Sequence, residues 1–180
     1  MTGRKTLTDG VVTLRPPTEA DAETMAVLIR RCYEHITPWM IWAKPDHTAE
    51  DVMFWISGES DPTGHNFVLL DEEGTPVGSA GLNRFSDKDA HCDLGYWMAP
   101  EACGRGLATR ATNLLLRYAI EDAGLNRVEI WMSTENHPSR AVAERSWATY
   151  EGTLRQYLMI AGRAHDAHCY GFLAEELDRT

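Results

Sequence analysis

The chain has 180 residues, of which 43% are hydrophobic and 24% are charged, and this balance excludes a disordered chain. Its 17 Lys and Arg against 27 Asp and Glu give a net charge of −10, which disfavours nucleic acid and anionic membranes as partners. No apolar run approaches the roughly 20 residues that span a bilayer. Four widely spaced cysteines predict reduced thiols and no metal site. We therefore expect a single domain over residues 1–180, located in the cytoplasm.

The first half of the chain predicts a strand, two helices and a group of three strands. Residues 11–15 have the pattern of a strand. Thr18, with Asp21 three residues later, is typical of a capping box before a helix. An aromatic stretch interrupted by Pro38 follows, and Thr48 caps the second helix. Strands are predicted at residues 67–70, 76–82 and 91–98.

The second half predicts alternating helices and strands. Apolar residues from Leu107 to Tyr118 follow helical spacing, and Gly124 ends that helix. A strand at 127–133, a helix at 138–147 and strands at 153–160 and 167–173 complete the chain. The order βααβββαβαββ predicts an α/β protein with a mixed sheet flanked by helices.

A Gly-rich loop is the most informative local feature. Gly104 and Gly106 lead directly into a predicted helix, so several free backbone N–H groups and the positive end of the helix converge there. This arrangement suits a pyrophosphate, and Arg105 adds a cation. A tight strand-to-helix turn without a ligand is the alternative interpretation.

Several segments along the chain resemble the GNAT superfamily of acyl-CoA-dependent N-acyltransferases. The resemblance is greatest to the RimJ/RimL type, which acetylates protein N-terminal amines. The segments span almost the whole chain: residues 9–21, 38–43, 94–97, 104–109, 136–143 and 150–155. The resemblance implies a GNAT fold. In that fold a single mixed, mostly antiparallel sheet is flanked by helices, and a splayed pair of strands holds acyl-CoA.

The resemblance also implies a set of residues that bind acetyl-CoA. Backbone groups at the end of the strand predicted at residues 91–98 pair with the pantetheine arm, and the Gly-rich loop holds the pyrophosphate. Asn136 and Ser139 lie near the pantetheine amide and the sulfur. The set is Trp97, Met98, Ala99, Cys103, Gly104, Arg105, Gly106, Leu107, Ala108, Thr109, Asn136 and Ser139. Asn136 and Ser139 also fit the start of a helix as capping residues.

Three residues are predicted to carry the chemistry. The acceptor amine must lose a proton before it attacks, and Asp93 is the candidate base. The Met98 N–H is the candidate oxyanion donor, and Ser139 the candidate partner of the leaving thiolate. A solvated strand carboxylate is the alternative for Asp93. Glu135 or a bound water is the alternative base.

The acceptor is expected to be a primary amine, most of all a protein or peptide N-terminus. The resemblance implies that the aromatic segment with Trp39 and Trp42 lies over the acceptor groove. Nearby acidic residues, together with the net charge of −10, suit a cationic acceptor. A small-molecule amine (an antibiotic or polyamine), a longer acyl donor and an acyl-CoA-binding module without turnover remain alternatives. The resemblance also allows for a homodimer. Cys103 and Trp147 depart from the family pattern, and the bulky indole of Trp147 is expected to narrow or reshape the acyl end of the site.

Overall fold

The computed structural model describes residues 4–179 as one eight-stranded sheet with helices on both faces. The strands are β1 (Leu7–Thr8), β2 (Thr13–Arg15), β3 (His65–Leu70), β4 (Pro76–Ser86), β5 (His91–Met98), β6 (Arg127–Ser133), β7 (Thr149–Ile160) and β8 (Arg163–Leu173). The helices are α1 (Ala22–Arg31), α2 (Tyr33–Ile36), α3 (Ala49–Ile56), α4 (Leu107–Glu121) and α5 (His137–Arg145). No helix within residues 4–179 is long and apolar enough to cross a bilayer.

The sheet has the order β1-β2-β3-β4-β5-β6-β8-β7. Neighbouring strands are antiparallel everywhere except between β5 and β6, which run parallel. The predicted α/β fold with a mixed, mostly antiparallel sheet is therefore confirmed.

The parallel pair separates along its length. Only the first three residues of each strand pair, ending with Asp93 opposite Glu129. Beyond that point β5 stays paired with β4 as far as Met98, and β6 stays paired with β8 as far as Ser133. A gap therefore opens between the carboxyl-terminal halves of β5 and β6.

Each face of the sheet carries its own core. Alternate residues of a strand point to opposite faces, so β3 sends Phe67 to one core and Val68 to the other. On one face α4 buries Leu115 and its neighbours against β5 and β6. On the other face α1 and α3 bury Met25 and Val52. Both helical faces are apolar at the spacing expected for an amphipathic helix.

The predicted capping box at the start of the first helical segment is present. The Asp21 carboxylate accepts hydrogen bonds from Thr18 N–H and Oγ–H at 2.7 and 2.9 Å. The Arg15 guanidinium donates to both Asp21 oxygens, at 2.7 and 2.6 Å. This paired geometry holds the pKa of the Asp21 carboxyl at about 2. It also ties β2 to the start of α1.

Several element boundaries differ from the sequence prediction. The Asp9 carboxylate accepts from the N–H groups of Val11 and Val12, at 3.0 and 2.9 Å. Residues 9–12 therefore form a turn, β2 starts at Thr13, and the short β1 before the turn was not predicted. At the other end of the chain, β7 begins at Thr149, before the predicted start, and continues through a register shift in which Glu151 is the extra residue between the paired Tyr150 and Gly152.

Candidate active site

The gap between β5 and β6 opens into a cavity of about 590 Å³, which we call the loop cavity. It is lined by His35, Ile36, Trp39, Met40, Tyr96, Trp97, Met98, Ala102, Cys103, Gly104, Gly106, Leu107, Ala108, Thr109, Asn136, Pro138, Ser139, Ala141, Val142 and Arg145. All the residues predicted to bind acetyl-CoA lie here except Ala99 and Arg105.

The Gly-rich loop forms one end of the loop cavity. Gly104 and Gly106 both have φ of 78°, a left-handed conformation that side chains with a Cβ rarely adopt. Gly106 is the N-cap of α4, and its carbonyl accepts the first helical hydrogen bond, from Arg110 N–H. The N–H groups of the first helical turn have no partner within the helix. The loop can therefore offer them, with the positive end of α4, to an anion.

Arg105 does not line the loop cavity, although it was predicted to bind the cofactor. Its guanidinium instead donates to Glu72 at 2.7 Å and to Asp71 at 3.5 Å, in the turn between β3 and β4. The Asp71 side chain is only 8% exposed. In this structure the Arg105 side chain therefore ties the loop to a neighbouring turn.

Cys103 lies at the mouth of the loop, where the family pattern has a longer polar residue. Its Sγ is 3.8 Å from His35 Nε2 and 3.5 Å from the Ala99 carbonyl oxygen. Burial, with a contribution from Glu101, raises the pKa of the Cys103 thiol. The thiol is therefore protonated at neutral pH and has little nucleophilic character.

The backbone of β5 presents alternate residues to the gap. The Ala99 N–H donates to the Val77 carbonyl at 2.8 Å, so it is not free for a ligand, and that part of the prediction is wrong. By the alternation of antiparallel strands, Trp97 directs its N–H and C=O toward β4 as well. The N–H groups of Tyr96 and Met98 point the opposite way, into the gap.

The start of α5 forms the wall opposite the Gly-rich loop. Asn136 is the N-cap, and its Oδ1 accepts from Ser139 N–H at 3.2 Å. Capping occupies this oxygen and leaves the amide NH₂ of Asn136 for other partners. The same geometry therefore allows Asn136 to cap α5 and to donate to a ligand.

Tyr96 is a site residue that the sequence interpretation missed. Its hydroxyl lies 3.0 Å from Ser139 Oγ and 3.2 Å from the Ser139 carbonyl oxygen. Burial raises the pKa of Tyr96 to about 12, so the phenol stays protonated. The sequence did indicate Tyr96 indirectly, because residues 94, 96 and 98 share one face of the predicted strand and Met98 is a predicted site residue.

A second cavity, of about 670 Å³, lies on the α1 and α3 side of the sheet, and we call it the helix cavity. Its lining is Met25, Ile29, Met40, Trp42, Lys44, His47, Asp51, Val52, Phe54, Trp55, Ser60, Asp61, Asn66, Ser79, Ala80, Gly81, Asn83, Gly95, Tyr96 and Trp97. Trp42 lines this helix cavity, whereas Trp39 lines the loop cavity. Large apolar side chains, Ile41, Trp42 and Phe54, are 63%, 44% and 52% exposed in the same part of the chain.

The polar side of the helix cavity contains Asp61, which the sequence interpretation also missed. Its carboxylate accepts from the N–H groups of Arg84, Thr63 and Gly64 at 3.0 to 3.1 Å. Burial opposes ionisation, but these backbone donors outweigh it and lower the pKa of Asp61. The carboxylate stays charged and gives the helix cavity a fixed negative group.

Asp93 lines neither cavity. It lies on β5 two residues before Gly95, roughly 7 Å along the strand, and points to the face of the sheet that carries the helix cavity. It forms an ion pair with Arg84. Burial raises the pKa of Asp93 even though Arg84 acts in the opposite direction. Glu135, the alternative base, pairs with Arg163 at the surface and also lines neither cavity.

The two cavities meet at three shared residues, Met40, Tyr96 and Trp97. One cavity reaches this junction from the Gly-rich loop, and the other reaches it from α1 and α3. The linings of the two cavities are therefore contiguous at this junction. Tyr96 is the shared residue with a hydroxyl group.

Trp147 does not narrow the site, which corrects the expectation from its unusual identity. Its ring lies 6.2 Å from the ring of Phe172, and the Arg117 guanidinium stacks over it at 5.5 Å. Asn113 Oδ1 accepts from its backbone N–H at 3.1 Å. The indole therefore packs beside α4, outside both cavities.

The part of the chain that the structure describes contains no group of three His, Cys, Asp or Glu side chains arranged to hold a metal ion. The buried His165 contacts a serine, with its Nδ1 2.9 Å from Ser133 Oγ.

Comparisons with known proteins agree with this geometry. The family model described as "Acetyltransferase (GNAT) domain" matches residues 12–146. A Bacillus subtilis (strain 168) protein, "Putative ribosomal N-acetyltransferase YdaF", is 32% identical over 170 residues, covering 92% of each chain. The structure titled "Mycobacterium smegmatis RimJ in complex with CoA-disulfide" has a TM-score of 0.83 and 30% identity over 96% of this chain and 88% of its own. The microcin C7 self-immunity acetyltransferase MccE, in complex with acetyl-CoA and AMP, shares the fold at 23% identity, with a TM-score of 0.82 over 92% and 93% of the two chains.

Proposed function

The chain belongs to the GNAT family of N-acetyltransferases and uses acetyl-CoA as co-substrate, and we propose that its acceptor is the N-terminal α-amine of a protein or peptide. The observation that carries this proposal is the helix cavity. It is large, it reaches the junction with the loop cavity, and exposed apolar side chains lie beside it. Exposed apolar groups beside a cavity are typical of macromolecular contacts. The relatedness to proteins named as ribosomal N-acetyltransferases adds support.

The loop cavity is the proposed acetyl-CoA site. The Gly-rich loop would hold the pyrophosphate with the N–H groups of Leu107, Ala108 and Thr109, and the pantetheine arm would fill the gap beside β5. The Asn136 amide NH₂ would donate to a pantetheine carbonyl. This places the thioester at the junction, where an amine from the helix cavity can reach it.

Direct transfer then needs three groups. The amine nitrogen attacks the thioester carbon, the Met98 N–H stabilises the oxyanion, and the C–S bond breaks to release CoA thiolate. Ser139, held by Tyr96, is the proposed hydrogen-bond donor to the sulfur. Asp93 is the proposed acceptor of the amine proton. Since Asp93 does not line the cavity, the proton would pass through water over Gly95, which has no side chain there.

The test is release of free CoA thiol from acetyl-CoA in the presence of peptides with free Ser, Ala or Thr N-termini. N-terminally blocked copies of the same peptides are the matched controls, and polyamines and aminoglycosides form the competing panel. We expect release with the free peptides alone. Release with only a small amine would overturn the proposed acceptor, and no release with any acceptor while acetyl-CoA raises the Tm would favour a binding module.

Three further features of the protein belong to the same proposal. We infer that residues 1–180 act as one catalytic domain, and that the cytoplasm is its compartment, in keeping with four free cysteines. We also infer a homodimer, supported by the long edge strand β7, which leaves Leu154, Tyr157 and Met159 exposed. Sedimentation equilibrium of the parent chain, compared with that of a Tyr157→Lys control, measures the oligomeric state.

A further inference from the structure

The floor of the helix cavity contains two glycines on neighbouring strands. Gly81 of β4 is paired with Gly95 of β5, and both line the cavity. Asn66 of β3 is paired with Gly81 on its other side and also lines the cavity. Paired residues of neighbouring strands project to the same face of a sheet, so the three positions form one row across β3, β4 and β5. Because two of them have no side chain, the row forms a depression in the sheet, which we call the glycine trough.

Asn66 directs a free hydrogen-bond acceptor into the glycine trough. The residue is only 5% exposed, and its Nδ2 donates to the Trp55 carbonyl oxygen at 3.1 Å. A carbonyl oxygen only accepts, so this bond determines which end of the Asn66 amide faces the trough. A Cβ at Gly81 would lie 3.3 Å from Asn66 Oδ1, so this oxygen lies over the glycine. Within residues 4–179 no group donates a hydrogen bond to it.

Two further uncharged side chains border the glycine trough on β4. Ser79 and Asn83 lie two residues before and after Gly81, so they project to the same face of the sheet. Both line the helix cavity, and their side chains have no hydrogen-bond partner in the described part of the chain. A Cβ at Gly95 would lie 3.8 Å from Asn83 Nδ2, which places this amide beside the second glycine. The hydroxyl and the amide both supply donors, whereas Asn66 supplies an acceptor.

The carboxylates around the helix cavity are already hydrogen-bonded within the chain. Asp51 pairs with Lys44 at 2.8 Å. Asp61 accepts from three backbone N–H groups and from a hydroxyl. Asp93 pairs with Arg84. The free polar groups of the glycine trough are thus uncharged, and they combine one acceptor with donors.

A peptide group matches this set of free groups. Its N–H donates to an oxygen such as Asn66 Oδ1, and its carbonyl oxygen accepts from donors such as Ser79 Oγ–H or the Asn83 NH₂. A protonated polyamine has donors only. It would therefore leave the donors of the glycine trough without a partner, and an unpaired donor that loses its water weakens binding. The glycine floor also lets a flat amide group approach the sheet closely.

The distance from the junction of the two cavities fits the first residues of a peptide. Gly95 is two residues before Trp97, and two residues of a strand span roughly 7 Å. An extended acceptor peptide advances about 3.4 Å per residue. A peptide whose α-amine reaches the junction therefore has its first or second peptide group over the glycine trough.

We propose that Asn66, with Ser79 and Asn83, binds the first or second peptide group of the acceptor over Gly81 and Gly95. These side chains then determine specificity, because they favour a peptide over a simple amine. The inference rests on the proposed function, in which a peptide α-amine enters through the helix cavity.

The test removes one N–H from the acceptor. A peptide with a free N-terminus is compared with two copies in which an ester replaces the peptide group before residue 2 or before residue 3. The ester has nearly the same shape and no N–H to donate. We expect kcat/KM, measured by release of CoA thiol, to fall about threefold to tenfold with one of the two esters, as for the loss of one hydrogen bond. That ester identifies the peptide group that Asn66 binds.

Two variants connect this loss to the glycine trough. Asn66→Ala should react with the peptide and the ester at equal rates, and because each protein is compared with itself, a change in its stability cancels from the ratio. Asn83→Ala, whose side chain has no partner to lose, should lower kcat/KM for the peptide about threefold to tenfold and leave the Kd for acetyl-CoA within twofold. Asn126→Ala is the matched control: this asparagine is exposed and lines neither cavity, and its replacement should change neither quantity.

Two results with the esters would overturn the inference. One is equal rates for the peptide and both esters with the parent chain, and the other is the same discrimination in Asn66→Ala as in the parent. If Asn66→Ala does not fold, an Asn83→Ala variant with the parent's kcat/KM for the peptide overturns it as well. In these cases peptides are still acetylated, so the proposed function stands. If the parent chain acetylates polyamines and not free peptides, the proposed acceptor and the inference fail together.

Discussion

Replacing Tyr96 by Phe tests whether the junction of the two cavities depends on one hydroxyl. The substitution keeps the ring and removes the oxygen that lies 3.0 and 3.2 Å from the two Ser139 oxygens. A net hydrogen bond contributes about 1 kcal/mol to the free energy of unfolding. In a protein of this size that loss lowers the Tm by about 2 to 4 °C.

The effect on catalysis should be larger than the effect on stability. Without the phenol, Ser139 Oγ is free to rotate away from the sulfur of the leaving group. Losing an oriented donor at a charged transition state costs up to about 3 kcal/mol. We therefore expect kcat to fall by about tenfold to a hundredfold, while the KM for acetyl-CoA changes by less than about threefold.

Tyr118→Phe is the matched control. Tyr118 is also buried, and its hydroxyl makes one hydrogen bond, at 3.0 Å, to His65 Nδ1, away from both cavities. The Tm should fall by a similar amount and kcat should stay within twofold of the parent. Steady-state thiol release and thermal denaturation measure both quantities. Equal kcat values for the two variants would refute the role assigned to Tyr96.

Other substitutions address the base, the loop and the fold. Asp93→Asn should lower kcat at least tenfold. The parent's activity should fall as pH drops through the raised pKa of Asp93, and the variant should not show that fall. If the variant has the same kcat as the parent at every pH, Asp93 is not the base. Gly106→Ala places a residue with a Cβ at a φ of 78° and should weaken acetyl-CoA binding severalfold in calorimetry. Gly10→Ala is the control: its φ is 86°, it lies far from the site, and the substitution should only lower the free energy of unfolding, by about 1 kcal/mol. The Asp21 pKa is lowered to about 2, so the interactions of Asp21 with Arg15 and Thr18 together contribute about 2 kcal/mol, present above pH 4 and lost as pH falls toward 2. In urea titrations the free energy of unfolding of Asp21→Asn should lack that loss, and the same pH dependence in both proteins would contradict it.

The parts of the site predicted from the sequence are those with a local signal. The loop with two glycines before an amphipathic helix is one such signal. Asn136, three residues before Ser139, is another. Each determines the backbone conformation of only a few neighbouring residues. The structure accordingly places Gly104, Gly106 and the first turn of α4 in the loop cavity. The capping box at Asp21 was predictable for the same reason.

Contacts between distant residues were not predictable. The interaction of Arg105 with Glu72 joins residues 33 apart, and that of Tyr96 with Ser139 joins residues 43 apart. Each depends on which strands become neighbours, and a single sequence does not specify that order. Trp147 was misjudged because the family position suggested the acyl end, whereas packing against Phe172 turns the ring away.

The separation of β5 from β6 also affects how long the protein persists. Backbone groups of β5 beyond Asp93 have no partner on β6, and in the proposed complex the amides of acetyl-CoA would pair with them. A ligand present at a hundred times its Kd stabilises the folded state by about 2.7 kcal/mol. We therefore expect acetyl-CoA at that concentration to slow digestion of the purified chain by a protease, a rate that timed proteolysis with and without the ligand measures.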